Sequence, residues 1–177
     1  MSKILITGPP KIGKSTLIKN LIEYFKSQNL TVDGFLTPEL RIKGKRIGFL
    51  LERIGEKEKV ILAKKSNYKS KQKLGSYNVF LDDFEDFIEF LDHLKSETID
   101  LIIIDEIGKM ELFSEKFGSI LKNLFTSRKS IIATIGLQIN HDIKDWLLSR
   151  KEITLYTINR ENRQEIFIQI VNNISKI

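Results

Sequence analysis

The first residues that could do chemistry lie near the start of the chain, in a loop bounded by two glycines. Residues 8–15 read Gly8-Pro9-Pro10-Lys11-Ile12-Gly13-Lys14-Ser15 and match the pattern G-x-x-x-x-G-K-[ST] in full. Glycines adopt backbone angles that are closed to other residues, so successive N–H groups can turn toward a polyphosphate. The spacing therefore predicts a phosphate-binding loop, in which Lys14 contacts the β- and γ-phosphate oxygens and the Ser15 hydroxyl ligates magnesium.

The elements on either side of the loop are those that such a loop needs. The apolar run Ile4–Ile6 predicts a buried strand before it. After it, apolar residues recur at helical spacing, at Leu17, Ile18, Leu21, Ile22 and Phe25. A helix that begins near Gly13 or Lys14 directs the positive end of its dipole at the loop, and Thr16 is expected to help hold the start of that helix.

A second chemical segment follows another apolar run. Four aliphatic residues, Leu101–Ile104, lead directly into Asp105 and Glu106, which is typical of a central parallel strand buried on both faces. Ligands bind at the carboxyl ends of such strands. We therefore predict that Asp105 holds magnesium through a water molecule, as a Walker B carboxylate, and that Glu106 accepts the proton of an attacking water.

Further polar residues have more than one interpretation. Thr134 lies near the end of the apolar run 131–135, where it would sense the γ-phosphate or orient the attacking water, or else serve only in the strand ladder. An arginine is expected to neutralise developing charge. Arg41 and Arg46 are the candidates for that role, whereas Arg160 or Arg163 would lie near the base or sugar; a surface role is the alternative for each.

The order of the elements predicts the fold class. Strands near residues 3–7, 30–36, 101–105, 131–135 and 153–158, with helices between them, indicate a largely parallel α/β sheet in a single domain spanning 1–177.

The section from about 35 to 80 indicates an antiparallel β insertion, with a turn at Asp33-Gly34, a hairpin around Gly44 and a mobile polar loop over 64–73. Two further helices are expected, one over Phe84–Leu94 capped by Asp82 or Asp83 and one at the C-terminus capped by Asn159.

Composition excludes several classes of protein. The 177 residues include no cysteine and two histidines, which excludes disulfides, thiolate metal sites and histidine-rich metal sites. No apolar run reaches bilayer length, so a cytoplasmic location without membrane contact is the default expectation, and a monomer is favoured. Residues 41–73 carry twelve Lys or Arg and three Glu, so nucleic-acid binding is conceivable, but a solvated lysine-rich surface is favoured.

Several motifs together resemble one family. They are Gly8–Ser15, Gly34-Phe35-Leu36-Thr37-Pro38-Glu39, Gly48-Phe49, Asp105-Glu106-Ile107-Gly108-Lys109-Met110-Glu111-Leu112 and Asn159-Arg160-Glu161-Asn162-Arg163. Over essentially the whole chain they are similar to the nucleoside-triphosphatase family of the THEP type, which has a cancer-related counterpart in animals.

The resemblance implies a three-layer, RecA-like P-loop fold and magnesium-dependent hydrolysis of ATP, GTP, CTP and UTP to the diphosphate and phosphate. It also places nucleotide contacts on Gly8–Ser15 and on a second segment, Leu101, Ile102, Ile103, Ile104, Asp105, Glu106, Ile107 and Gly108. Two departures stand out: Lys11 occupies a position where glycine is frequent, and Thr134-Ile135-Gly136 replaces an expected Thr-Val-His.

Two other functions remain open at this stage. A small nucleotide or polynucleotide kinase would share the loop and a basic insertion, although Glu106 beside Asp105 favours hydrolysis. A nucleotide-switched RNA-binding protein would use the basic segment 41–73.

Overall fold

The computed structural model describes residues 1–65, 70–95 and 98–174, and in these ranges one sheet carries helices on both faces. The strands are β1 (Lys3–Thr7), β2 (Val32–Leu36), β3 (Glu39–Ile42), β4 (Lys45–Arg53), β5 (Lys59–Lys64), β6 (Gln72–Leu74), β7 (Tyr77–Val79), β8 (Leu101–Ile107), β9 (Ser130–Ile135) and β10 (Ile153–Thr157). The helices are α1 (Lys14–Ser27), α2 (Leu81–Phe87), α3 (Phe90–His93), α4 (Glu115–Thr126), α5 (Asp142–Leu148) and α6 (Arg163–Ile174), with a 3₁₀ turn at Glu111–Phe113.

The parallel part of the sheet has the order β10-β1-β9-β8-β2. Its central strands are continuous apolar runs because both faces are covered: Ile4–Ile6 and Leu101–Ile104 have no exposed surface. One hydrophobic cluster packs α2, α3, α4 and α5 against one face, and a second packs α1 and α6 against the other. The predicted α/β architecture of helix, sheet and helix layers is confirmed.

The predicted β insertion is also confirmed, and it lengthens the sheet. Beyond β2, the strands β4, β5, β7 and β6 follow in antiparallel order, and β3 pairs with the outer part of β4. Lys43 and Gly44 form the two-residue turn of the β3–β4 hairpin, both with positive φ, as a tight hairpin requires. The predicted polar loop 64–73 is wrong at both ends, since Lys64 belongs to β5 and Gln72 and Lys73 belong to β6; its residues 66–69 lie outside the described residues.

The predicted turn at Asp33-Gly34 is wrong, since both residues lie inside β2. Asp-Gly is a strong turn signal, but here the glycine serves a close approach between strands. Gly34 has φ 129°, and a methyl group on its Cα would overlap the carbonyl oxygen of Ile103 on β8. Asp33 is buried and its carboxylate forms an ion pair with Arg53 of β4, with 2.8 Å between Oδ2 and Nη2. The two residues therefore join β2 to its neighbours on both sides.

Two predicted helix starts also differ from the structure. The apolar stripe from Phe84 to Leu94 is buried as expected, but it is divided between α2 and α3. Asp82 and Asp83 lie in the first turn of α2, where they favour the positive helix end, and Phe80 is the N-cap. The last helix begins at Arg163, four residues beyond the Asn159 predicted to cap it.

Within the described ranges, none of the helices combines the length and the apolar character that crossing a bilayer demands.

We expect Gly34→Ala to lower the free energy of unfolding by about 2–5 kcal/mol, because it adds steric overlap with β8 to an unfavourable φ. Urea denaturation followed by circular dichroism measures the change. Gly118→Ala is the matched control: Gly118 lies in α4 with open space around it, so a gain of about 0.5–1 kcal/mol is expected. Equal effects of the two substitutions would contradict the close approach.

Candidate active site

The predicted phosphate loop lies between β1 and α1, at the carboxyl edge of the parallel sheet. Gly13 is the N-cap of α1 with φ 104°, in the left-handed region that favours glycine. The first turn of α1 contains no acidic side chain, so its N–H groups face the loop without a competing anion. The Lys14 ammonium reaches back across the loop and donates to the carbonyl oxygens of Gly8 at 3.0 Å and Pro9 at 3.4 Å. The loop therefore presents backbone N–H groups and the Lys14 ammonium to a bound anion.

Lys11, the departure from the family pattern, lies at a turn inside the loop. The Ile12 N–H donates to the Pro9 carbonyl at 3.3 Å, and Lys11 occupies the position before Ile12 with φ 63°. Proline followed by a residue with positive φ is the signature of a type II turn, in which glycine is preferred at the second position. The lysine keeps the backbone shape that glycine would adopt, and its side chain is exposed.

Asp105 is the buried centre of the site. It lies on β8 in register with Leu36 of β2 and is 4% exposed. The Thr134 hydroxyl on β9 donates to its Oδ1 at 2.5 Å. Burial raises the pKa of Asp105, while the hydroxyls of Thr134 and Ser15, and then Lys14, act in the opposite direction. The structure therefore places Ser15 and Asp105, the two predicted metal-binding residues, close to one another.

Glu106 follows Asp105 on β8 and shares its surroundings. Burial raises the pKa of Glu106, the neighbouring Asp105 carboxylate raises it further, and Lys14 lowers it. Lys14 thus influences both acidic side chains, although it belongs to the loop on the other side of β9. The three residues predicted to be catalytic are within electrostatic reach of one another.

A third carboxyl group, that of Glu111, was not identified as a site residue from the sequence. It lies in the 3₁₀ turn after β8, is 3% exposed, and approaches the same face of Gly108 as Glu106 does. Burial, followed by the charge of Glu106, raises the pKa of Glu111 to about 8. The backbone groups of Glu111 and Gly108 act in the opposite direction and lower this pKa. The available signal was an acidic residue inside the otherwise apolar run Met110–Phe113.

The oxygen donors present fit magnesium. Mg²⁺ is usually held by one or two protein oxygens together with substrate phosphates and water, rather than by a cage of protein ligands. The Ser15 hydroxyl and the Asp105 carboxylate are two such donors, and Ser15 is near enough to lower the pKa of Asp105. In the described ranges no group of three or more His, Cys, Asp or Glu could form a protein cage.

The rest of the second predicted nucleotide-binding segment divides into two parts. Leu101, Ile102, Ile103 and Ile104 are completely buried inside the sheet, so they offer no surface to a nucleotide and instead support Asp105. Ile107 is also fully buried. Gly108 lies against the carboxyl groups of Glu106 and Glu111, at the carboxyl end of the strand.

The candidate arginines lie in two different places. Register places Glu52 of β4 level with Asp105, so Arg46, six residues earlier on this antiparallel strand, lies roughly 20 Å along the strand from that level. There Arg46 and Arg41 both pair with Glu39, at 2.9 Å and 2.5 Å.

Arg160 and Arg163 lie beside the phosphate loop. Arg163 packs so closely against Gly13 that a Cβ there would be 2.6 Å from its Nη1. Thr16, Arg160 and Arg163 line the same pocket.

Comparisons with known proteins identify the family of this chain. Residues 3–171 match the model of a family described as NTPase. The nucleoside-triphosphatase THEP1 of Thermotoga sp. is 36% identical over 171 residues, which cover 96% of this chain and 94% of that protein. The cancer-related nucleoside-triphosphatase homolog of Mus musculus is 34% identical, covering 95% and 94%. The crystal structure of THEP1 from Aquifex aeolicus superposes with a TM-score of 0.83 and 34% identity, covering 96% and 97%.

The buried Glu111 predicts a pH-dependent difference in stability between the wild type and Glu111→Gln. In the unfolded chain this carboxyl ionises near its ordinary pKa of 4.5, whereas in the folded protein it keeps its proton up to about 8. The wild-type free energy of unfolding therefore decreases as pH rises between these values, by up to about 1.4 kcal/mol per pH unit. The variant lacks this loss, so its stability relative to wild type should rise by roughly 2–4 kcal/mol from pH 5 to pH 8.

Urea denaturation with EDTA and without nucleotide, at pH 5 and pH 8, measures this difference. Glu58→Gln is the control, because Glu58 is exposed in the loop between β4 and β5. A stability difference for Glu111→Gln that is the same at both pH values would exclude a buried protonated carboxyl group.

Proposed function

This chain belongs to the nucleoside-triphosphatase family of the THEP type, and from that premise we propose how its active site works: magnesium-dependent hydrolysis of ATP, GTP, CTP and UTP at the loop Gly8–Ser15. The protein is an enzyme that hydrolyses nucleoside triphosphates. The observation that carries the proposal is the position of the buried Asp105, with Glu106 next to it, close enough to the loop that Ser15 and Lys14 both lower the pKa of Asp105. The name of the relatives favours hydrolysis over the kinase alternative.

Substrate binding rests on the phosphates. The amides of the loop and of the first turn of α1, together with Lys14, surround the β- and γ-phosphates in the proposal. These contacts are independent of the base, so four different nucleotides are bound by the same groups. Magnesium would be held by Ser15 directly and by Asp105 through water, and it would supply positive charge to the β- and γ-phosphate oxygens.

The proposed reaction is in-line attack of water on the γ-phosphorus. Glu106 takes a proton from the water as the water oxygen bonds to phosphorus. The bond from phosphorus to the β–γ bridging oxygen breaks. The electron pair leaves with the nucleoside diphosphate, and phosphate is the second product. Burial and Asp105 raise the pKa of Glu106, which makes its carboxylate a stronger base. Lys14 stabilises the charge that develops on the phosphate oxygens.

Thr134 is a positioning residue in this proposal. Its hydroxyl holds one oxygen of Asp105, and it is completely buried in β9 between the loop strand and the acidic strand. Arg41 and Arg46 would have to leave Glu39 to reach the γ-phosphate, so we assign the positive charge beside the loop to Lys14 and Arg163.

Glu106→Gln tests the proposed base. The amide keeps the size of the side chain but cannot accept the proton, so turnover should fall by about 10²- to 10⁴-fold. Binding of the β,γ-imido analogue of ATP, measured by calorimetry, should stay within a few-fold of wild type. Lys14→Ala is the comparison, because it should weaken both binding and turnover. Near-normal phosphate release by Glu106→Gln would remove Glu106 as the base.

Ser15→Ala tests the proposed metal ligand. The magnesium concentration that gives half-maximal rate should rise about tenfold or more, since the direct protein oxygen is lost. Ser15→Thr keeps the hydroxyl, is allowed by the loop pattern, and should keep the wild-type magnesium dependence. Equal magnesium curves for the alanine and threonine variants would argue against this ligand, and full activity in excess EDTA would exclude a metal requirement.

A further inference from the structure

The segment formed by residues 34–39 contributes no side chain to the steps above, although it runs directly toward the active site. Its strand, β2, ends at Leu36, which lies in parallel register with Asp105 of β8. Thr37 is the next residue, so it leaves the sheet beside Glu106, the residue that follows Asp105. Neighbouring strands lie about 5 Å apart, a separation that one bridging water molecule can span.

The side-chain hydroxyl of Thr37 has an unusual environment. Its oxygen has no appreciable surface exposed to solvent, and among the residues that the structure describes it is the buried side-chain polar atom without a hydrogen-bond partner. Such a group destabilises the folded protein, because its hydration is lost and not replaced. A buried hydroxyl of this kind calls for a specific explanation, and a catalytic role is one of the few.

The backbone around Thr37 is fixed without help from its side chain. β2 lies between β8 and β4 and pairs with both. Pro38 disfavours a helical conformation for the residue before it, and its carbonyl accepts from the Leu50 N–H at 2.9 Å. Phe35 is fully buried and makes edge-on contacts with three aromatic rings, at centroid distances of 6.4, 6.0 and 6.0 Å. The hydroxyl is therefore not needed to hold the segment in place.

The attacking water needs a second partner besides Glu106. Thr134, which was expected to sense the γ-phosphate or orient this water, instead donates its hydroxyl hydrogen to Oδ1 of Asp105 at 2.5 Å. A hydroxyl has one hydrogen, so Thr134 has no further donor. A water molecule that is bonded to Glu106 alone can still turn, and its lone pair then points at phosphorus only part of the time.

The order of the strands places Thr37 on the side from which the water must attack. The loop follows β1, and β9 and β8 separate that strand from β2. In-line displacement requires the water to approach the γ-phosphorus opposite the β–γ bridging oxygen. With the β-phosphate in the loop, the opposite side is that of β8 and β2, where Glu106 and Thr37 lie.

We propose that Thr37 is a catalytic residue that holds the attacking water together with Glu106; the inference rests on the proposed function of the loop and of Glu106. The Thr37 hydroxyl oxygen accepts a hydrogen bond from one hydrogen of the water, and Glu106 takes the other hydrogen as a proton. A lone pair of the water then faces phosphorus, and Thr37 itself neither gains nor loses a proton. Because the residue as a whole is only half-buried, rotation about its Cα–Cβ bond turns the hydroxyl out of the protein interior.

Thr37→Val tests this role, because valine keeps the shape of threonine but lacks the hydroxyl. Hydrolysis of ATP in a single turnover, with enzyme in excess, should slow by about 10- to 100-fold, since Glu106 alone then directs the water. The dissociation constant of the β,γ-imido analogue of ATP should stay within about twofold, because the phosphate contacts are unchanged. Thr37→Ser retains a hydroxyl and should react within about threefold of the wild-type rate.

Stability and a matched substitution separate this role from a structural one. Because the buried hydroxyl has no partner in the described part of the chain, the urea midpoint of Thr37→Val should equal or exceed that of the wild type. Thr154→Val is the control, since Thr154 is an exposed residue of the edge strand β10. It should change neither the single-turnover rate nor the affinity for the ATP analogue.

A wild-type rate in Thr37→Val would overturn the inference, and so would equally slow hydrolysis by the valine and serine variants. A lower urea midpoint would show that the hydroxyl is structural, and a loss of affinity as large as the loss of rate would show that it binds phosphate; either result would also overturn it. Failure of the proposed function is distinguishable, because the wild type would then release no phosphate or Glu106→Gln would keep normal turnover.

Discussion

The buried carboxylate of Asp105 is the constraint on which the rest of the site depends. A carboxylate that is 4% exposed is stable in its charged form only if hydrogen bonds and nearby cations replace its lost hydration. Here the hydrogen bond comes from Thr134 of β9, and Ser15 and Lys14 of the loop also lower the pKa of Asp105. These groups must therefore approach Asp105 from different parts of the chain. The strand order β1-β9-β8 achieves this, since β9 places Thr134 between the loop and the acidic strand.

The burial of Asp105 also depends on β2 and on the insertion that continues from it. Gly34 lets β2 approach β8 closely enough to keep that strand inside the sheet, and the insertion then continues outward from β2. The insertion contains most of the excess positive charge of the sequence. Its arginines in the β3–β4 hairpin, Arg41 and Arg46, nevertheless pair with Glu39. The cations at the loop are instead supplied by Lys14 and by Arg163, from the start of the first helix and the start of the last.

The features that could be predicted from the sequence are those that depend on residues close together in the chain. The strand, loop and helix around Gly8–Ser15 are adjacent in the chain, and the apolar run before Asp105 identifies a central strand, so both halves of the site could be found. Gly34 could not be interpreted correctly, because a turn and a close strand approach demand the same residue types. Glu111 was missed because its burial arises only when the 3₁₀ turn folds back beneath Gly108. The pocket lined by Thr16 and Arg160 joins residues from the two ends of the chain, and no local pattern records such a contact.

The two adjacent acids of β8 differ in their surroundings, and the difference separates their roles. Burial raises the pKa of Asp105, but the hydroxyls of Thr134 and Ser15 and the charge of Lys14 oppose that rise, which favours the carboxylate form that would hold a cation through water. Glu106 is acted on by burial and by the charge of Asp105, both of which raise its pKa, against Lys14 alone. In the proposed mechanism Lys14 engages phosphate oxygens, so less of its charge would oppose the raised pKa of Glu106. Substrate binding would then strengthen Glu106 as the proposed base for the attacking water.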